Sequence, residues 1–285
     1  MKKFFFEEEL SKKEMSYEFS KFHVLPIPLE KTVSYGKGTS KAPEAIISAS
    51  NQLEREENSP CDFGIYTHNE LDCSLSFENI FKNLEEITSE VCNRDKIPVS
   101  IGGEHSLTYG IINGFKKKYL TSKEEFGVLQ FDAHADLRKE YNGSEDSHAT
   151  VMYKLIKEQV KIFQIGVRAI SKDEIKLRNE LNIDYKSVKD CRNNIDILLP
   201  ADFPENIYIT FDADCLDPSI MPATGTPVPN GFYYDEVFLI LKNLTRDRNI
   251  IGFDYVEFSP IKNFHAYDFT SANIVYDLMK LCLKS

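Results

Sequence analysis

Hydrophobic and polar positions alternate along this chain with two different periods. Short runs rich in Val, Ile, Phe and Tyr, several of them apolar at every position, are typical of strands buried on both faces of a parallel sheet. They predict strands at residues 23–27, 97–101, 127–131, 161–167, 183–185, 207–211 and 250–256. Longer stretches with helical spacing of apolar residues predict helices at residues 43–53, 77–92, 107–119, 149–160, 171–180, 233–243 and 270–283.

Strands and helices that alternate at this spacing indicate βαβ crossovers. The pattern therefore predicts an α/β fold, with a parallel sheet covered by helices on both sides. No internal repeat, low-complexity tract or linker-like stretch interrupts it, so we expect one domain over residues 1–285. The stretch 221–231 combines three prolines with two glycines, and a loop this stiff predicts the rim of an active site.

Composition narrows the functional classes. Apolar residues make up 42% of the chain, which is enough for a sizeable core. Acidic residues outnumber basic ones by 45 to 34, and this excess argues against nucleic-acid binding and favours a cationic substrate. We expect no membrane span, because no apolar run approaches the roughly 18 residues required. Three Phe followed by three Glu near the start do not form a secretory signal, and the six cysteines are scattered, so we expect a cytoplasmic protein with reduced thiols.

The clearest chemical signal follows the strand predicted at 127–131. Asp132, His134 and Asp136 are spaced at i, i+2 and i+4, which places all three on one side if the backbone stays extended. A charged turn after a strand is the plainer interpretation. Asp212 and Asp214 repeat the i, i+2 spacing after the strand at 207–211, although an Asp-x-Asp by itself fits an ordinary turn equally well.

A third segment reads Gly102-Gly103-Glu104-His105-Ser106. The glycine pair permits a sharp turn that presents His105 above the strand, whereas an isolated histidine is more often structural. Ligands of parallel α/β sheets bind at the carboxyl ends of the strands, so the three segments are expected to converge. The predicted metal ligands are His105, Asp132, His134, Asp136, Asp212 and Asp214.

Charge balance indicates what such a cluster would hold. Four carboxylates without partners would be very unfavourable, and two divalent cations would neutralise them. Two-metal sites hold their ions about 3.5–4 Å apart, so shared carboxylates are expected. A shell rich in oxygen with two imidazoles suits Mn²⁺ better than a structural zinc site, and the sequence therefore predicts two Mn²⁺ per chain.

Two further residues fit a role in catalysis. His148 follows Ser147 at a predicted helix start, where the positive end of the helix dipole favours a neutral imidazole able to relay protons. The alternative is a histidine at the surface of a helix start. Glu257 ends the strand at 250–256 and needs a partner, either a substrate guanidinium or a protein arginine such as Arg168 or Arg138.

Taken together, these motifs resemble the ureohydrolase family, which includes arginase, agmatinase and related guanidino hydrolases. The matching segments are GGEHS at 102–106, DAHAD at 132–136, DADCLDP at 212–218, GTP at 225–227 and DYVE at 254–257. The resemblance runs from about residue 24 to the C-terminal helix. It implies a single three-layer α/β/α domain around a mostly parallel sheet of about eight strands, and a binuclear Mn²⁺ site that hydrolyses a guanidinium to urea and an amine.

The resemblance also implies individual roles. One Mn²⁺ would bind His105 and Asp136, the other His134 and Asp214, with Asp132 and Asp212 bridging both. Asp136 would hydrogen-bond the bridging hydroxide and pass its proton to the leaving amine. Glu257 would orient the guanidinium, with His148 and Thr226 also contacting the substrate. The family further implies a homo-oligomer, a trimer or a hexamer.

Within the family, the details look more like small prokaryotic agmatinases than arginases. Arginases carry Ser-Gly-Asn-x-His-Gly before the catalytic His, and an acid after a Gly-Leu-Arg strand end. Here residues 143–149 read GSEDSHA, and Ala169 follows Arg168. The implied reaction is agmatine to putrescine and urea, a step of polyamine biosynthesis.

Departures from the family pattern leave other functions open. Glu104 replaces the commoner Asp, and Asn230-Gly231 replaces a frequent Gly-Gly. One alternative is another guanidino or formimino hydrolase, acting on guanidinobutyrate, guanidinopropionate, arginine or formiminoglutamate. A non-catalytic metal-binding protein on the same fold is the other. The sequence assigns no role to Cys215.

Overall fold

Eight parallel strands form one sheet in the computed structural model, which describes residues 4–122 and 125–283. The strands are β1 Phe22–Ile27, β2 Ile65–Thr67, β3 Ile97–Gly102, β4 Phe126–Phe131, β5 Lys161–Ile165, β6 Asp184–Lys186, β7 Asn206–Asp212 and β8 Asn249–Val256. Their spatial order is β2-β1-β3-β8-β7-β4-β5-β6, and each neighbouring pair is parallel. Residues 1–3, 123–124 and 284–285 of the predicted domain lie outside the described residues.

The α-helices cover both faces of this sheet. They are α1 Ala42–Ser50, α2 Phe77–Asn93, α3 Leu107–Ser122, α4 Val151–Lys157, α5 Lys172–Glu180, α6 Val188–Asn193, α7 Tyr234–Leu244 and α8 Ala266–Leu281. Apolar side chains of α1, α6, α7 and α8 pack in one hydrophobic core, and those of α2, α3 and α4 in a second. Two cores on a single sheet confirm the predicted three-layer α/β/α architecture. No helix of the described residues is both long and apolar enough to cross a bilayer.

Most differences from the predicted elements involve short or terminal segments. Strand β2 and helix α6 were not predicted, because three and six residues are too few to show a period. The strand predicted at 161–167 ends at Ile165, since Gly166 turns the chain with a φ of 93°. The helix predicted at 149–160 starts with a 3₁₀ turn at His148–Thr150, and α4 proper begins at Val151.

The strand order brings four loops together at the carboxyl ends of the central strands. Strands β3, β8, β7 and β4 are consecutive neighbours in its centre, so the loops that follow them lie side by side. These are the segments that carry the predicted chemical residues. The loops that carry the predicted chemical residues therefore follow strands that are distant in sequence but adjacent in space.

A histidine pair lies in the part of the sheet formed by β1 and β2. His23 in β1 is fully buried, and its Nδ1 lies 2.9 Å from Nε2 of His68. The rings of Tyr17 and Tyr66 pack around it. Burial, with a smaller contribution from His68 and Lys96, lowers the pKa of His23 to about 3.

We expect His23 to make the protein less stable as the pH falls from 7 to 5. Native His23 stays neutral in this range, whereas the unfolded residue takes up a proton near pH 6.5, so the unfolded state binds more protons. The loss at pH 5 is about 2 kcal/mol. Urea unfolding of the wild type and of His23→Gln at several pH values measures it. The variant is expected to show a shallower pH dependence, and equal slopes would contradict the prediction.

Candidate metal centre and active site

The first ligand loop follows β3 and depends on a close backbone approach. A Cβ at Gly103 would lie 2.0 Å from the carbonyl oxygen of Leu29, so no larger residue fits there. The Gly103 N–H donates to the Ile27 carbonyl, 2.9 Å away. The turn places His105, fully buried, between the end of the strand and the start of α3.

Two neighbouring groups determine which nitrogen of His105 carries a proton. Its Nε2 lies 2.7 Å from Oγ1 of Thr210, and the Thr210 hydroxyl donates to Asp254 at 2.7 Å. Because a hydroxyl has one proton, Thr210 must accept its second hydrogen bond from the His105 Nε2–H. Nδ1 therefore holds the lone pair whenever the ring is neutral, which is the form that binds a metal ion. Burial lowers the pKa of His105, but Asp132, Asp136 and Asp212 outweigh it and raise the pKa well above its usual value, so a cation would have to displace a proton from Nδ1.

This lone pair points into a group of carboxylates. Nδ1 of His105 lies 3.0 Å from Asp136, 3.2 Å from Asp132 and 3.4 Å from Asp212. It is buried and makes no hydrogen bond within the described residues. A lone pair and three carboxylate oxygens that surround one point fit a cation, and Thr210 and Asp254 form the outer support that metal-binding histidines usually have.

A second group adjoins the first and shares Asp132 with it. Nδ1 of His134 lies 2.9 Å from Asp214 and 3.8 Å from the other oxygen of Asp132. Within each trio, His105–Asp132–Asp136 and Asp132–His134–Asp214, the candidate ligand atoms lie within 4.8 Å of one another. All six predicted metal ligands are thus brought together. The assignment of each to a particular ion stays a prediction.

The charges at the site favour a cation. Burial, reinforced by the charge of Asp132, raises the pKa of Asp136 to about 7. Burial lowers the pKa of His134, but the neighbouring Asp214 and Asp132 outweigh it and raise the value to about 10. The shift at His134 reports a negative local potential, and the shift at Asp136 reports mainly burial with a smaller contribution from that potential. A divalent cation would neutralise this charge.

A buried glutamine that was not among the predicted site residues supports the shared carboxylate. Gln130 in β4 donates from Nε2 to Asp132 at 2.8 Å, and its Oε1 accepts a bond from Gln164 in β5 at 2.7 Å. Both glutamines are fully buried. Polar residues inside a buried strand were the available signal, because such groups must find partners.

Glu257 lies at the end of β8 in a strained conformation. Its φ is 60°, in the left-handed region that few residues other than glycine adopt, and Asp136 has a similar φ of 51°. The Glu257 N–H donates to the Gly103 carbonyl, and its side chain accepts a bond from the His105 N–H at 2.7 Å. Burial raises its pKa to about 8.

Neither arginine considered as a partner of Glu257 is bonded to it in the described structure. Arg168 donates instead to the carbonyls of Asp214 at 2.7 Å and Val228 at 2.8 Å, and so fastens the proline-rich loop to the ligand loop. The Arg138 guanidinium stacks on Tyr141, 5.3 Å from the ring centre. The second carboxylate oxygen of Glu257 therefore stays available to accept a hydrogen bond from a ligand.

His148 is partly buried, and Ser147 caps its short 3₁₀ turn as expected. The pKa of His148 is lowered, in the predicted direction. The cause differs from the expectation, however, because burial is the largest contribution and the turn has only three residues. A neutral imidazole is the form that can accept a proton.

These side chains line one cavity of about 390 Å³. It contains the predicted residues His134, Asp136, His148, Asp212, Asp214, Thr226 and Glu257. Residues 33–36 form part of its wall, and the Gly36 N–H donates to Gly225 across it. That segment and the buried Glu174 were not predicted as site residues, because no local pattern distinguishes them, and Arg138 was considered only as a partner of Glu257.

Comparisons with known proteins agree with this geometry. A model described as the arginase family matches residues 20–280. The N(1)-aminopropylagmatine ureohydrolase of Synechocystis is 34% identical to this chain, over 93% of this chain and 90% of the relative. The agmatinase of Pyrococcus horikoshii is 29% identical, over 89% of each chain. The structure of the agmatine ureohydrolase of Thermoplasma volcanium superposes with a TM-score of 0.79 at 26% identity, over 97% of this chain and 96% of that one.

We expect Asp132→Asn to lower the number of divalent ions bound, because it removes a charge from the carboxylate that both trios share. Elemental analysis after Mn²⁺ loading and gel filtration measures the stoichiometry. Asp247→Asn, at an exposed acid, is the matched control. Unchanged ion content in Asp132→Asn would show that the ligand assignment is wrong.

Proposed function

Because the chain belongs to the arginase family, we propose that it is a metal-dependent ureohydrolase that cleaves a guanidino group to urea and an amine. The observation that carries this proposal is a pair of candidate ligand trios that share Asp132 and adjoin the cavity that Glu257 lines. Relatives named as ureohydrolases support it. The alternative, a metal-binding protein without catalytic activity, explains less well why a strained, buried Glu257 lies beside these residues.

We propose that the resident ions are two Mn²⁺. One ion would be held by His105, Asp132, Asp136 and Asp212. The other would be held by His134, Asp132, Asp212 and Asp214. When bound, such a pair supplies a water of lowered pKa and neutralises developing negative charge. Two imidazoles among carboxylates are a donor set that Mn²⁺ accepts.

The protein's own residues would bind the substrate and move its protons. Glu257 would accept hydrogen bonds from the guanidinium, whose planar fork matches a carboxylate. Asp136, within 3.0 Å of His105 and lining the cavity, would hold the proton that the leaving amine requires. His148 would relay that proton between the cavity and solvent.

The substrate we propose is a guanidino amine without a carboxylate, either agmatine or its aminopropyl derivative. Glu174 adds a buried carboxylate to the cavity lining, and the chain carries a net charge of −11. Both features attract a dication. The relative from Synechocystis, named for aminopropylagmatine, is the reason to keep the longer amine beside agmatine. The trimer or hexamer and the cytoplasmic location expected from the sequence stay predictions.

We expect Glu257→Gln to lower kcat/KM by at least about 30-fold, equivalent to about 2 kcal/mol, because the guanidinium loses a charge-assisted bond. Urea release under saturating Mn²⁺ measures the effect. The exposed Glu70→Gln is the control for loss of one negative charge. Near-normal kinetics in Glu257→Gln would reduce Glu257 to a structural role.

We expect agmatine or aminopropylagmatine to exceed arginine in kcat/KM by at least about 100-fold, because a buried carboxylate without a partner costs about 1–3 kcal/mol or more. The cavity does include Arg138 at its rim, although its guanidinium stacks on Tyr141. Arg138→Ala therefore belongs in the same assay. A ratio near one that rises in this variant would identify Arg138 as a carboxylate-binding group and contradict the substrate proposal.

A further inference from the structure

Glu104 is a fully buried carboxylate that belongs to neither cation-binding trio. Its Oε2 accepts hydrogen bonds from the backbone N–H groups of Lys31 and Thr32. Its Oε1 accepts bonds from the hydroxyls of Thr32 at 2.7 Å and Ser106 at 2.6 Å. All four of these partners donate, as a carboxylate requires, because it can only accept hydrogen bonds.

The Thr32 hydroxyl connects this carboxylate to His148. Oγ1 of Thr32 lies 3.1 Å from Nδ1 of His148 and also accepts a bond from the His148 backbone N–H at 3.1 Å. Its single proton is already donated to Glu104. Thr32 can therefore only accept from the imidazole, and this hydrogen bond requires a hydrogen on Nδ1. Ser147 Oγ, 3.4 Å from the same nitrogen, is the more distant partner.

This arrangement repeats the one at His105. There a buried carboxylate, Asp254, accepts a hydrogen bond from the Thr210 hydroxyl, and Thr210 in turn accepts one from an imidazole nitrogen of His105. In both cases a carboxylate that cannot donate determines the direction of every hydrogen bond up to the ring. The opposite nitrogen is left with its lone pair.

We propose that Glu104, acting through Thr32, is a positioning residue for His148, which it holds in the Nδ1-protonated tautomer with Nε2 as the basic atom for the cavity. The proton-relay part of this proposal rests on the proposed ureohydrolase function; the tautomer itself does not. The relay then runs in balance: Nε2 accepts a proton from the cavity and releases the same proton to solvent, while the Nδ1–H bond to Thr32 stays intact.

The alternative is that Glu104 only ties residues 31–32 to the end of β3. Thr32→Val separates the two, because it removes the hydroxyl and keeps the shape of the side chain and the backbone N–H bonds to Glu104. Thr32→Ser restores a hydroxyl at the same position. Comparing this pair avoids any need to alter Glu104, whose replacement can prevent folding.

The first measurement is the ¹⁵N NMR spectrum of histidine-labelled full-length protein loaded with diamagnetic Zn²⁺, in which the two ring nitrogens report the tautomer. His148→Asn assigns the signals. We expect Nδ1-protonated His148 in the wild type and in Thr32→Ser, and a mixture or the other tautomer in Thr32→Val. Nε2-protonated His148 in the wild type, or an unchanged tautomer in Thr32→Val, would overturn the proposal.

The second measurement is urea release with Mn²⁺. We expect kcat to fall about 10-fold or more in Thr32→Val with little change in KM, and to recover in Thr32→Ser, since a misdirected relay affects proton transfer rather than binding. Equal losses in both variants, or no loss in Thr32→Val, would contradict the positioning role. Absence of urea release from every guanidino substrate by the wild type would instead refute the proposed function, while the NMR result would still decide the tautomer.

Discussion

Negative charge confined at the carboxyl edge of the sheet is the constraint on which this site depends. Four buried aspartates lie around two imidazoles, where they are largely withdrawn from bulk water. At such short distances in a protein interior their repulsion would oppose folding unless cations balance it. The order of the central strands is what brings these charges together, so the fold and the capacity to bind divalent ions are two consequences of one arrangement.

Threonine hydroxyls between a buried carboxylate and an imidazole set the direction of the hydrogen bonds that the imidazole makes. A carboxylate accepts hydrogen bonds but cannot donate, and a hydroxyl placed between it and an imidazole passes that restriction to the ring. Asp254 with Thr210 leaves Nδ1 of His105 facing the carboxylates of the candidate metal ligands. Glu104 with Thr32 has the corresponding geometry at His148. The Glu104 carboxylate reaches both the backbone N–H groups of residues 31–32 and the Thr32 hydroxyl.

The wall of the cavity is held by backbone contacts rather than by a hydrophobic core. Arg168 joins carbonyls of the proline-rich loop to that of Asp214, and Gly36 packs against Gly225 so closely that a Cβ would lie 2.8 Å from its Cα. The first contact requires the Arg168 guanidinium, and the second leaves no room for a side chain at Gly36. The ligand loop and the wall of the cavity are therefore joined through main-chain atoms.

The sequence by itself determined the α/β class, the carboxyl ends of strands as the place of the chemistry, and the six candidate ligands, because spacing after a strand and charge balance are local properties. It did not reveal β2, α6, the wall at residues 33–36, or the support that Gln130 and Thr210 give to Asp132 and His105. Those depend on which strands become neighbours. Only the tertiary structure decided that β8 lies between β3 and β7, which brings Glu257 to Gly103 and Asp254 to Thr210, because hydrogen bonds between distant segments leave no period in the sequence.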